Sequence, residues 1–180
     1  MKVSIIAAMD QKRGIGKDNK IPWRIKEDLV HLKGLTLGKI VILGRKSYDS
    51  MVWYYNKTGN PMPGKLYLVV TREKSYVPAR DNGKTVSSIE EAISKAKEIG
   101  EEEVFIIGGQ QIFQQTIGLA NKLYLTIVEA RLDSPPESPA RRGEFDADAF
   151  FPDYSQFKKI ISEEKKESGG YKYKFLELEK

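Results

Sequence analysis

The chain has 180 residues, a formal net charge of +5, a single histidine and no cysteine. That length suits one globular domain with a substantial core of its own. Without cysteine there are no disulfides, thiolate metal sites or cysteine nucleophiles, and the lone His31 cannot build a multi-histidine centre, so no metal is expected.

Basic residues are interleaved with acids, as in the run at 158–167, and no compact basic arm appears, so no nucleic-acid partner is expected. No apolar run approaches the roughly 20 residues of a membrane span. The apolar stretch after Met1 is too short for a signal peptide and reads as a first strand. A cytoplasmic monomer is the expectation.

Residues 2–8 form a continuous, β-branched-rich apolar run, the pattern of a strand buried on both faces. A glycine-rich loop from Gly14 leads through Ile21-Pro22-Trp23 into a short helix. On it Ile25, Leu29 and Leu32 recur at i, i+4 and i+7 as one apolar face. Asp28 falls at the edge of that face. A carboxylate there is costly unless it is paired, hydrogen-bonded or set against a cationic or proton-seeking ligand; a solvated helix flank is the alternative.

Residues 39–43 are a second strand running into Gly44-Arg45, and 45–52 read as helix. Residues 53–64 carry turn chemistry, with Asn56, Gly59, Asn60-Pro61 and Pro63-Gly64 as breakers. Residues 66–71 are a third strand, with a short one at Thr85-Val86. Ser88 and Glu91 make a capping box for a helix whose buried stripe is Ile89, Ala92, Ile93, Ala96 and Ile99, stopped by Gly100.

A strand at 103–107 runs into Gly108-Gly109 and a helix bearing Ile112, Phe113 and Thr116, and 122–128 is a strand again. Residues 133–143 are rich in proline and charge and read as an exposed loop, before Phe150-Phe151-Pro152 re-enters the core. In the last strand, 171–178, the apolar parity switches between Phe175 and Leu176, which predicts a bulge or burial on both faces. Alternating strands and helices, then strands alone, predict an α/β fold: a mixed, mostly parallel sheet with an antiparallel C-terminal edge. The chain reads as one domain over 1–180 with a loop insertion at about 131–147.

Three strand ends suit an anion. Gly44, Arg45, Lys46 and Ser47 open a helix whose free amides face the volume beyond the strand. Gly108 and Gly109, followed by Gln110 and Gln111, allow close backbone approach, although they lack the spacing of the dinucleotide fingerprint. Thr71-Arg72 is a third polar end. Singly each reads as an ordinary strand–helix turn. Repeated at the carboxyl ends of parallel strands, where open α/β sheets bind ligands, they suggest a phosphorylated cofactor beside a substrate.

In order along the chain, IIAAM, GIGKDNKIPW, the Asp28 helix, KIVILGRKS, PMPGK, LVVTR, VFIIGGQQIF, LYLT and FFPDY resemble dihydrofolate reductases over almost the whole length. The resemblance implies a three-layer fold, with helices flanking the mixed sheet, and reduction of 7,8-dihydrofolate to 5,6,7,8-tetrahydrofolate. NADPH would give a hydride to C6 and N5 would be protonated. It makes Asp28 the pterin-binding acid supported by Thr126, with Trp23 and Ile21 shaping water access. Ile6, Leu29, Leu32, Met51, Met62 and Ile107 would line the substrate pocket, and Lys65 and Lys33 would meet the glutamyl tail.

The same resemblance sets Ala8, Ile15 and Gly16 around the nicotinamide and Gly44, Arg45, Lys46 and Ser47 at the phosphates. Arg45, Thr71 and Arg72 would surround the 2′-phosphate and Ser87 the adenine. Gly108, Gly109, Gln110, Gln111 and Ile112 would pass the pyrophosphate, and Asp148 would steady the glycine-rich loop. The chain departs from the family pattern in several places. Lys65 replaces an arginine, Gln110-Gln111 replaces Gly-Arg, Phe113 replaces a tyrosine, and the loops at 52–60 and 131–147 are longer. A related reductase of ribosylaminopyrimidines is the alternative.

Overall fold

The computed structural model describes all residues from Met1 to Lys180. In chain order the first half runs β1 (Lys2–Asp10), β2 (Gly14–Gly16), α1 (Lys26–Thr36), β3 (Ile40–Gly44), α2 (Arg45–Thr58), β4 (Leu66–Val70) and β5 (Gly83–Val86). The second half runs α3 (Ile89–Glu98), β6 (Glu103–Ile106), α4 (Gln110–Thr116), β7 (Lys122–Arg131), β8 (Ala149–Phe150), β9 (Lys159–Ser168) and β10 (Tyr171–Glu179). Eight strands form one sheet in the order β5-β4-β3-β6-β1-β7-β10-β9, while β2 and β8 pair separately. Neighbours from β5 to β7 are parallel and β10 and β9 are antiparallel, so the sheet is mixed with an antiparallel edge as the sequence predicts.

Side-chain alternation divides the core between the two faces of this sheet. Val3, Ile5, Ala7 and Met9 of β1 join Leu123, Leu125 and Ile127 of β7 and the buried faces of α3 and α4 in one large cluster. The opposite face carries two smaller clusters. Val41, Leu43, Tyr67 and Val69 pack under Tyr48 and Val52 of α2, and Trp23 and Ile25 pack on Val128, Tyr171 and Tyr173. The two do not merge. Ile6 on β1 is buried in neither, while Ala8 borders one and Ile107 the other. The strip of sheet between them is where a ligand can lie.

Four local expectations change. Helix α2 continues past Val52 to Thr58, because Tyr48, Val52 and Tyr55 make one buried face at i, i+4 and i+7. Its stop is Gly59, in the left-handed region at φ 70°. Ile99 is not in the buried stripe of α3; it follows the helix and is 52% exposed. Ile25 precedes α1 and packs with Trp23, while Leu29 and Leu32 stay half-buried beside the open strip.

The fourth is β9, which the sequence did not announce. Its residues are almost all exposed and charged, so no apolar alternation marks it. Its pairing is set by a hairpin through Gly169 and Gly170, at φ 59° and 83°, which suits a two-residue turn. Strand β10 satisfies both readings of its parity switch. Its register shifts at Lys172/Tyr173 against β7 and at Glu177/Leu178 against β9, and Phe175 and Leu176 serve opposite faces.

Candidate active site

Asp28 lies in the first turn of α1, whose N-cap residue Ile25 offers no side-chain cap, so a carboxylate here is favoured by the helix dipole. Thr126 lies on β7 opposite Ala8 of β1 and Phe175 of β10, facing the same strip. Its hydroxyl donates to Asp28 Oδ1 across 2.6 Å. Removal from water raises the Asp28 carboxyl pKa, and the Thr126 hydrogen bond opposes part of that rise. The result is a carboxyl group that protonates more readily than an ordinary aspartate, beside half-buried Leu29 and Leu32. His31, one turn along, stacks on Phe175 with ring centroids 4.4 Å apart.

The glycine-rich loop is anchored by Asp10, a residue whose role the sequence alone did not reveal. Its carboxylate is buried and accepts from Lys12 N at 2.8 Å, Gly14 N at 2.7 Å and Phe145 N at 3.2 Å. An acid closing an apolar strand just before a glycine loop was the available signal. Further along, Asp18 N donates to Asp148 Oδ2 and Asp148 N to Gly16 O, both at 3.0 Å, so Asp148 does meet this loop. Ile15 packs on the large core, Trp23 is buried with its indole Nε1 unpartnered, and Ile21 is 56% exposed.

The glycine turns after β3 and β6 meet, because those strands are adjacent. Gly44 N donates to Gly108 O at 2.7 Å. A Cβ on Gly44 would stand 3.2 Å from Ile112, and one on Gly109 would stand 3.3 Å from Ser47 Oγ. Helix α2 starts at Gly44 without a side-chain cap, leaving its first amides free for an anion. Lys46 is exposed beside them. The side chain of Gln110 is engaged elsewhere, accepting from Phe150 N at 2.6 Å.

Beyond β4 and β5 lies a cleft of about 390 Å³ that brings together Thr71, Arg72 and Ser87, three expected residues, with Glu73, Lys74 and Thr85, which were missed. Arg45 reaches toward it and pairs with Glu73 at 3.5 Å and Asp49 at 4.0 Å. Ser87 Oγ donates to Glu91 at 2.7 Å, and the pKa of Glu91 falls to about 2, chiefly through Lys95. The contiguous run Thr71-Arg72-Glu73-Lys74 at a strand's carboxyl end was the signal for the missed charges.

Met51, Met62 and Ile107 border the α2 cluster, across the open strip from α1, and Lys33 is exposed. Lys65 is ion-paired to Glu101, whose side chain is only 11% exposed. No three His, Cys, Asp or Glu residues are grouped to hold a metal ion, and no helix is long and apolar enough to cross a membrane.

A family model described as dihydrofolate reductase matches residues 2–180. Dihydrofolate reductase of Staphylococcus haemolyticus is 35% identical over 179 residues, covering 97% of this chain and 93% of that protein. That of Bacillus subtilis is 35% identical over 183 residues, covering 99% and 94%. Dihydrofolate reductase type 3 of Salmonella typhimurium is 34% identical over 154 residues, covering 86% and 80%. Neither comparison supports the ribosylaminopyrimidine alternative.

Proposed function

The chain belongs to the dihydrofolate reductase family, and from that premise we propose how its own residues carry the NADPH-dependent reduction of 7,8-dihydrofolate to 5,6,7,8-tetrahydrofolate. The observation that carries the reading is the Asp28–Thr126 pair on the open strip. A part-desolvated carboxyl held there accepts hydrogen bonds from the 2-amino group and N3 side of a pterin ring, groups that an apolar wall alone would leave unpaired. Its raised pKa brings protonation closer to neutral pH, where a proton has to reach N5. Trp23 supplies a buried, unpartnered indole N–H suited to hold a water on that route, and Ile21 shapes its access.

Ile6, Leu29, Leu32, Met51, Met62 and Ile107 provide the apolar walls, and Lys33 and Lys65 take the glutamyl carboxylates. NADPH, when bound, supplies the hydride to C6. Ala8, Ile15 and Gly16 would hold its nicotinamide. The α2 amides with Lys46 and Ser47, and the Gly108–Ile112 turn, would hold its phosphates. Arg45, Thr71 and Arg72 would take the 2′-phosphate and Ser87 would lie at the adenine. The uncapped start of α2 fits that group. All of these residues lie in one chain, so a monomer suffices, and the absence of cysteine suits the cytoplasm.

Purified protein given NADPH and dihydrofolate is expected to consume the reduced-nicotinamide absorbance, and to leave it unchanged without dihydrofolate. Absence of turnover with both present overturns the reading.

A further inference from the structure

We propose that Phe145, in the connection between β7 and β8, is a positioning residue for Trp23 and acts on the reaction without touching substrate. The inference rests on the proposed role of Trp23 at the pterin.

The indole of Trp23 is buried, and its Nε1 has no hydrogen-bond partner in the chain. No polar group of the chain sets its direction, so the packing around the ring does. It belongs to the cluster of Ile25, Val128, Tyr171 and Tyr173. The Phe145 ring packs against that cluster and meets Trp23 in a T-shaped arrangement, with centroids 5.2 Å apart and planes at 67°. Phe145 also leans on Tyr171 at 6.4 Å. Aromatic edges set against faces are directional contacts, and a ring of this size fills space that water would otherwise enter.

Phe145 is itself held from both ends. Two residues before it, Gly143 turns at φ 71° so close to β7 that any Cβ would collide with the Glu129 carbonyl oxygen. The Phe145 amide donates to Asp10, the same carboxylate that fixes Lys12 and Gly14 at the start of the glycine-rich loop. Its neighbours lock to that loop in alternation. Glu144 pairs with Lys12 at 3.1 Å and Asp146 with Lys17 at 3.3 Å, while Asp148 accepts from Asp18 N. Ala147 occupies the space a side chain on Gly14 would need. The register of the whole segment therefore delivers one aromatic ring to Trp23.

The test uses a Trp53→Phe background, since Trp53 is 63% exposed and the chain has two tryptophans, so emission then reports Trp23 alone. Phe145→Ala is expected to red-shift that emission and raise acrylamide quenching. It should slow single-turnover hydride transfer about 10-fold through misplacement of the indole, with KM for NADPH held within about 2-fold. Phe145→Leu, which keeps most of the volume, should show the same changes at about one-third of the size and decides the matter if the alanine variant does not fold. Unchanged emission or an unchanged hydride-transfer rate in a folded variant overturns the proposal, as does an equal loss of NADPH binding. If the parent protein fails to turn over dihydrofolate, the functional reading falls, and the emission measurements still judge the packing of Phe145 on Trp23.

Discussion

Thr126 and Asp28 stand 98 residues apart in sequence and 2.6 Å apart in space, joined by one hydroxyl-to-carboxylate hydrogen bond. That bond ties the sheet to α1 across a strip that neither small core cluster fills. Burial and the hydrogen bond push the Asp28 pKa in opposite directions, and burial prevails. Under the proposed mechanism, both the stability and the rate of the protein depend on that balance.

Asp28→Asn should lose activity and gain stability together. Because the folded-state pKa lies above the ordinary value of 3.8, the charged form is the disfavoured one. Wild-type stability therefore falls as pH rises from that value through the raised pKa. The asparagine variant escapes this penalty and should melt a few degrees higher at neutral pH, roughly 2–4 °C for each kcal/mol relieved. The advantage should vanish at pH values below the ordinary carboxylate pKa. Hydride transfer should drop on the order of 100-fold near neutral pH with NADPH binding retained. Equal rates across a pH series would remove Asp28 from the mechanism.

Thr126→Val deletes the donor that holds the Asp28 pKa down. The apparent pKa in the pH profile of hydride transfer should move upward. A profile superimposable on wild type would show that the hydrogen bond does not reach the reaction.

Lys65 is not a free cation, because Glu101 already occupies it. Glu101→Gln should lower KM for dihydrofolate about 2- to 5-fold, the scale of a part-exposed ion pair, and leave a tail-less dihydropterin unaffected. Lys65→Arg should also lower KM for dihydrofolate, since a guanidinium can grip a carboxylate with two hydrogen bonds. An unchanged or higher KM in Lys65→Arg, or a parallel change with the tail-less substrate, would take Lys65 out of the tail site.

His31, stacked on Phe175, has its pKa lowered by burial, with Glu164 and Glu177 pulling it up and Lys166 adding to the depression. A depressed imidazole favours the neutral form in the folded state. Stability from this group is complete above the ordinary value of 6.5 and declines as pH falls from there toward the lowered pKa. His31→Gln should flatten that part of the curve of melting temperature against pH. A slope that survives the substitution would place its source elsewhere.

Much of the fold could be read along the chain because it rests on local periodicity. The stripe Ile89, Ala92 and Ala96, with the cap at Ser88, is visible in a few consecutive residues, as are the apolar runs of the parallel strands. Strand β9 was invisible for the opposite reason: exposed charges can take a sheet edge without leaving a pattern, and only the Gly169-Gly170 turn and the partner strand define it. The end of α2 was misplaced because Asn56 looked like a breaker while Tyr55 still belonged to the buried face.

The candidate site divides in the same way. Glycine turns and cations at strand ends are local, and the sequence offers them directly. The pairings of Lys65 with Glu101, Arg45 with Glu73 and Phe145 with Trp23 join distant segments, so no spacing along the chain announces them. Asp28 was local as an oddity, the family resemblance paired it with Thr126, and the structure sets the two in hydrogen-bond contact.

The turn at Gly143 divides the β7–β8 connection into two stretches with different freedom to change length. Ahead of it, Pro135, Pro136 and Glu137 are exposed, and residues could be added or removed there, or a reporter peptide spliced in, without shifting the segment beyond the turn. Behind it, parity is everything. One extra residue between Gly143 and Phe145 would turn the ring outward and present Glu144 to the indole, so lineages or engineers that alter this connection have only its first half to work with.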